Sequence, residues 1–174
     1  MKALQIVGRK KSGKTSLLVG LIPRLQARGL RVGSIKHSAH PHALDREGSD
    51  TWRHREAGSE VTLGITAAAI SIHLPLPSDP AALEARIAQE AGRLDILLIE
   101  GWSERPGPKI EVLPPDTEGR VKPPRVRDPG ELLAVVLGPG VPEAAATDTL
   151  PVRAFRWNET DAVAAFIAEW LRLR

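Results

Sequence analysis

The chain has 174 residues, enough to build a proper core in one domain, and its 42% hydrophobic and 26% charged content is ordinary for a globular protein. The formal net charge is +3, but aromatics make up only 3%, with no Tyr and two Phe. Platforms for stacking bases are therefore scarce, and nucleic acid is not an expected partner. No apolar run approaches the roughly 18 residues that span a bilayer, the first strand starts too early to leave room for a signal peptide, and zero cysteines exclude disulfides and thiolate metal sites, so a cytoplasmic protein with no membrane contact is expected.

Ala3 to Val7 is an apolar strand candidate, and it leads into Gly8-Arg9-Lys10-Lys11-Ser12-Gly13-Lys14-Thr15. That segment fits G-x-x-x-x-G-K-[ST], the phosphate loop, in the strand–loop–helix setting the motif requires. Thr15 to Arg28 follows as an amphipathic helix, with Leu17, Leu18, Leu21, Ile22 and Leu25 on one face and Gly29 closing it. Arg31 to Ile35 reads as a second strand, completing a βαβ unit and implying a parallel sheet. A polar, His-rich stretch runs from Lys36 to Glu47, and Ser49 or Asp50 caps a short helix ending at Ala57. Strands are expected at Val61 to Leu63 and Ala68 to His73, then a helix from Pro80, capped by Asp79, to Ala91. Asp95 to Ile99 and Ile110 to Leu113 read as buried strands. Residues 105–130 hold seven prolines and predict an excursion or mobile loop rather than core. Leu132 to Leu137 is a strand, Pro151 to Phe155 a possible edge, and Thr160 to Leu173 the last helix. The whole predicts an α/β, three-layer fold of the P-loop NTPase kind, one domain over residues 1–174, with a mainly parallel sheet flanked by helices.

The motif assigns roles by chemistry. Glycines let backbone N–H groups turn inward onto phosphate oxygens, at a helix N-terminus that favours anions. Lys14 would reach the β- and γ-phosphates, and the Thr15 hydroxyl would ligate Mg²⁺. An acidic partner is then required, and the apolar strand before Glu100-Gly101 supplies one at the carboxyl end, where such sheets bind ligands. Glu100 would hold Mg²⁺ through water or orient an attacking water, and Gly101 would let the γ-phosphate approach. His37, His40, His42 and Asp45 form a second cluster. It is a zinc set, a solvated loop, or a nucleotide-responsive segment in which Asp45 or Asp50 joins the Mg²⁺ shell while Lys36 and Arg53 face phosphates; the last is preferred. His54, His73, Trp52 and Trp102 are expected in packing roles.

Taken in order, the phosphate loop, Lys36-His37-Ser38-Ala39-His40, Asp45 with Gly48-Ser49-Asp50-Thr51-Trp52-Arg53, Arg55-Glu56-Ala57-Gly58, Leu98-Ile99-Glu100-Gly101 and Pro108-Lys109-Ile110-Glu111-Val112 resemble the molybdopterin-guanine dinucleotide biosynthesis protein B (MobB) family over residues 4 to 113. Ser103 and Leu113-Pro114-Pro115 stand where that family commonly has basic residues. The resemblance implies a homodimeric GTP-binding protein with weak GTPase activity, assisting the guanylyltransferase that attaches GMP to molybdopterin. It implies a phosphate site at Gly8, Arg9, Lys10, Lys11, Ser12, Gly13, Lys14, Thr15 and Ser16, and a metal neighbourhood at Thr15, Asp45 and Glu100. Lys36, His37, His40, Asp50 and Arg53 would form a second functional segment. Guanine preference rests on the resemblance alone, because Gly138-Pro139-Gly140, not N-K-x-D, follows the strand at Leu132 to Leu137. Hydrolysis is expected to be slow, with no Gln placed for water and Arg53 or a partner's arginine as the available finger. A small-molecule kinase using residues 105–127 as a lid, a nickel-type metal-insertion GTPase and a non-enzymatic phosphate-ligand binder remain the alternatives.

Overall fold

The protein was analysed as a computed structural model, which describes residues 2–38, 44–77, 79–142 and 152–172. In chain order the elements are β1 (Lys2–Gly8), α1 (Lys14–Gln26), β2 (Val32–Lys36), α2 (Asp50–Glu56), β3 (Thr62–Ile65), β4 (Ile70–His73), α3 (Pro80–Ala91), β5 (Ile96–Glu100), β6 (Lys109–Leu113), β7 (Leu132–Leu137), β8 (Arg153–Phe155) and α4 (Thr160–Arg172). They divide into two compact units, residues 1–39 with 91–174, and residues 40–90.

The first unit is a six-stranded sheet in the order β2-β5-β1-β6-β7-β8, and every pairing is parallel. Its strands are buried apolar runs, as parallel strands must be when both faces are covered. Alternation sorts the side chains. Leu4, Ile6, Ile96, Leu98, Ile110, Val112, Ala134 and Val136 meet the apolar stripes of α1 (Leu17, Leu18, Leu21, Leu25) and α4 (Val163, Ala164, Ile167) in one cluster. The order in which strands are added reverses at β1: β2 and β5 lie on one side of it, and β6, β7 and β8 on the other. That is the switch point where a crevice opens beyond the carboxyl ends of the strands.

The proline-rich stretch leaves the sheet as expected but then folds back onto it. Asp116 closes a turn by accepting from the N–H groups of Glu118 and Arg120, both at 2.8 Å, and Pro115 bridges Val121. Val121 and Val126 then pack on Leu113, Leu132 and Val135, on the sheet face opposite α1. Two isolated valines among prolines and charges show no periodicity, which is why this covering role is invisible in the pattern.

The second unit carries α2, a hairpin and α3. Ser49 caps α2 by accepting from the Trp52 N–H at 3.3 Å. β3 and β4, two of the expected strands, pair antiparallel with each other in a sheet of their own. Thr66 closes their turn, its hydroxyl accepting from the Ala69 N–H at 3.0 Å. Register puts Thr62, Gly64, Ser71 and His73 on one face and Leu63, Ile65, Ile70 and Ile72 on the other, and the apolar four are exposed.

Candidate functional site

β1 ends at Gly8, whose φ is 143°, and a Cβ there would lie 2.5 Å from the Val112 carbonyl oxygen. The chain then curls through exposed Arg9, Lys10 and Lys11 to Gly13, the left-handed N-cap of α1 (φ 100°). A side chain at Gly13 would strike the Trp157 ring at 2.7 Å. Both glycines are therefore demanded by close packing as well as by the turn. Lys14 folds over the loop and donates to the Gly8 and Arg9 carbonyls at 3.0 and 2.6 Å. Burial, with the neighbouring Lys36 charge, lowers its pKa from the ordinary lysine value, against an opposing pull from Glu100. Ser12 Oγ is buried within the loop and has no hydrogen-bond partner among the described residues. An oxyanion seated in the loop would satisfy it.

Glu100 joins three elements at the loop mouth. The Thr15 hydroxyl donates to its Oε1 at 2.8 Å, and Lys36 of β2 pairs with the same oxygen. Glu100 is nearly buried while Lys36 is half-exposed, so the charge sits at the floor of the crevice and its counter-charge at the rim. Thr15 and Glu100 supply the hard oxygen donors that Mg²⁺ takes, and the helix start and Lys14 supply what a polyphosphate takes, so the residues fit a Mg²⁺-nucleotide.

The expected residues are thus partly gathered. Gly8 to Ser16, Lys36 and Glu100 converge. The His37 N–H donates to the Glu100 carbonyl at 3.0 Å, but its ring stacks on Trp102, with centroids 4.7 Å apart and planes 8° from parallel. Trp102 has φ 59°, which an aromatic side chain seldom tolerates, and Gly101 before it has no room for a Cβ, the His37 carbonyl oxygen lying 2.9 Å away. Asp45, Asp50 and Arg53 belong to the second unit. There Asp45 accepts from the Thr51 hydroxyl at 2.7 Å, with Arg55 and His73 at 3.9 and 3.8 Å. The Thr51 hydrogen bond, chiefly, holds its carboxyl below the usual range. Arg53 is exposed on α2. His40 and His42 lie outside the described residues, and no cluster of three metal-ligating side chains occurs among those described.

Two features escaped the sequence reading. Pro139 and Trp157, from the loops after β7 and β8, close on Gly13. Lys109 and Glu111 are also buried charges on one face of β6, and their alternation with Ile110 and Val112 in an otherwise apolar strand was the available signal.

A parallel sheet with a glycine-turned phosphate loop at its switch point defines the P-loop NTPase-like class. A family profile described as "Molybdopterin guanine dinucleotide synthesis protein B" matches residues 3–137, and the chain belongs to that family. It is 43% identical over 109 residues to the molybdopterin-guanine dinucleotide biosynthesis adapter protein of Haemophilus influenzae, covering 62% of this chain and 60% of that protein. The Escherichia coli protein of the same description is 32% identical over 169 residues, covering 92% of this chain and 88% of the relative. The crystal structure of Bacillus subtilis MobB superposes over the full length of both chains with TM-score 0.74 at 23% identity, a likeness of fold. No helix among the described residues is long and apolar enough to cross a membrane.

Proposed function

We propose that the chain is an adapter protein of molybdopterin guanine dinucleotide synthesis that binds GTP with Mg²⁺ and hydrolyses it slowly. The observation carrying this reading is the meeting of Thr15, Lys36 and Glu100 over the Gly8–Thr15 loop. In this reading the N–H groups at the start of α1 and Lys14 take the phosphates, and Thr15 and Glu100 hold the metal. Mg²⁺, when bound, neutralises charge between the β- and γ-phosphates. Glu100 would hold the metal through water or would instead orient the attacking water, and turnover is expected to be slow because the sequence offers no Gln in the place that orients water in faster enzymes of this kind. The pathway role is supported by the family and by the names of the relatives; a guanylyltransferase and molybdopterin are the partners this reading adds.

The same reading makes the working form a homodimer. Its support is the hairpin of the second unit. A two-stranded ribbon is marginal alone, and this one presents Leu63, Ile65, Ile70 and Ile72 to solvent on one face, which a second copy could cover.

Equilibrium binding of GTP and ATP, each with Mg²⁺ and with chelator, tests the core of the proposal. Mg²⁺-dependent GTP binding that Lys14→Ala abolishes is expected. If GTP is not bound, or if Lys14→Ala binds it as well as the parent does, the proposal fails.

A further inference from the structure

The Lys109–Glu111 segment has no part in the proposed nucleotide site, yet it carries the two most completely buried charges among the described residues, Lys109 at 2% and Glu111 at 1% exposure. Burying an ion costs several kcal/mol unless every polar contact is met. Both are met, and each by clamping a loop. The Lys109 ammonium donates to the Arg105 and Gly107 carbonyls at 2.8 and 3.1 Å and pairs with Glu131 at 2.6 Å. The Glu111 carboxylate accepts the Arg125 and Val126 N–H groups at 2.8 and 3.0 Å.

Between the two clamped loops lies a cleft of about 270 Å³, and Gly8, first residue of the phosphate loop, forms part of its wall. The size suits a small molecule and is too small for a folded peptide segment. Its acids are already engaged: Glu131 by Lys109, Glu111 by backbone N–H groups, and Glu104 by the Ser103 hydroxyl at 2.8 Å. Its two arginines make no such bond, although, after the Ser103 hydrogen bond, the Arg125 charge helps to hold the Glu104 carboxyl below its usual range. Among the described residues no hydrogen bond or salt bridge occupies the guanidinium of Arg125 or Arg127, and both residues line the cleft. Planar guanidinium donors match an oxyanion two bonds at a time.

We propose that this cleft binds a small molecule bearing an oxyanion, a phosphomonoester or a carboxylate, which Arg125 and Arg127 grip beside the phosphate loop. β6 is the frame: its two buried charges fix both walls in advance, so the ligand meets a formed site. The proposal stands apart from the nucleotide reading, because nothing in it requires the loop to be filled.

The test is an amide NMR titration of the full chain with inorganic phosphate, phenyl phosphate and benzoate, run in the Lys14→Ala background so that the phosphate loop does not compete. Shifts are expected at Gly107, Val126 and Arg127, with Kd on the order of 1 mM, as for a fragment-sized ligand. Phenyl phosphate against benzoate then separates phosphomonoester from carboxylate. Arg125→Gln/Arg127→Gln should weaken binding at least about tenfold, because each charge-assisted pair contributes about 1.5 kcal/mol or more. The exposed position of both side chains keeps the variant folded, which its own spectrum verifies. No shift at those amides with any probe, shifts confined to Ser12 and Thr15, or undiminished binding in the double variant would each overturn the proposal.

Discussion

Glu111 offers the sharpest test of how β6 works. Its Oε2 accepts from the Arg125 and Val126 N–H groups at 2.8 and 3.0 Å, its Oε1 from Arg125 at 3.0 Å, and the side chain is 1% exposed. In Glu111→Gln the amide oxygen can take the Oε2 place and keep both N–H groups, but as a neutral acceptor. Charge-assisted hydrogen bonds contribute about 1.5–3 kcal/mol and neutral ones about 1, so the two bonds lose about 1–4 kcal/mol together, and relief from burying an anion brings the net towards the lower end. Glu111→Met leaves both N–H groups without an acceptor, at about 1–3 kcal/mol each, partly offset because no anion is buried any longer. We expect about 3 kcal/mol, or roughly 10 °C in melting temperature for a chain of this size. Urea unfolding gives the magnitudes, and amide hydrogen exchange gives the location: protection should fall at Arg125 and Val126 while the β1–β5 ladder keeps its own. If Glu111→Met costs less than Glu111→Gln, or if exchange at those two amides does not change, the clamp is not what holds that wall.

Gly101→Ala should cost at least about 1–2 kcal/mol, the penalty of an alanine at φ 87°, and displace His37, whose carbonyl oxygen lies 2.9 Å from the new Cβ; urea unfolding and the Trp102 fluorescence report the two effects. Asp95 is held by Arg31 at a pKa of about 2, below the ordinary 3.8. A depressed carboxylate stabilises above its unfolded value and loses that contribution as pH falls towards 2, so Asp95→Asn should be less stable than the parent at neutral pH and equal to it below pH 2. Thermal melts across that range check this, and a gap that persists at the acid end contradicts it. Ile65→Lys/Ile70→Lys places charge on the exposed hairpin face and should give a folded monomer by sedimentation; an unchanged assembly would remove the hairpin from the interface.

Much of the fold could be read because its signals are local. The Gly8–Thr15 motif, the leucine stripe of α1 and the apolar runs at β5 and β7 each announce themselves within a dozen residues, and Glu100 follows from the end of its strand. What stayed hidden depends on pairing between distant segments. Nothing in Val61–Leu63 or Ala68–His73 says that they pair with each other rather than join the main sheet. Asp45 has the composition of a metal ligand, and its engagement with Thr51 and His73 emerges only once α2 and β4 are in place. Lys109 and Glu111 carried a signal, charges inside a buried strand, but their partners lie among prolines with no period to follow.

The sheet order also sets the timetable on which the phosphate loop can exist. β1 is the third strand across, so its neighbours are residues 96–100 and 109–113, and the leucines of α1 are covered by α4 at residues 160–172. At typical rates of synthesis, on the order of ten seconds separates the appearance of the loop from that of the helix that seals it. During that interval Leu17, Leu18, Leu21 and Leu25 lack the part of their packing that α4 supplies. The first motif written in the chain is thus among the last to be assembled, and a ribosome stalled before α4 would display a sticky, unfinished phosphate loop to the chaperones and proteases around it.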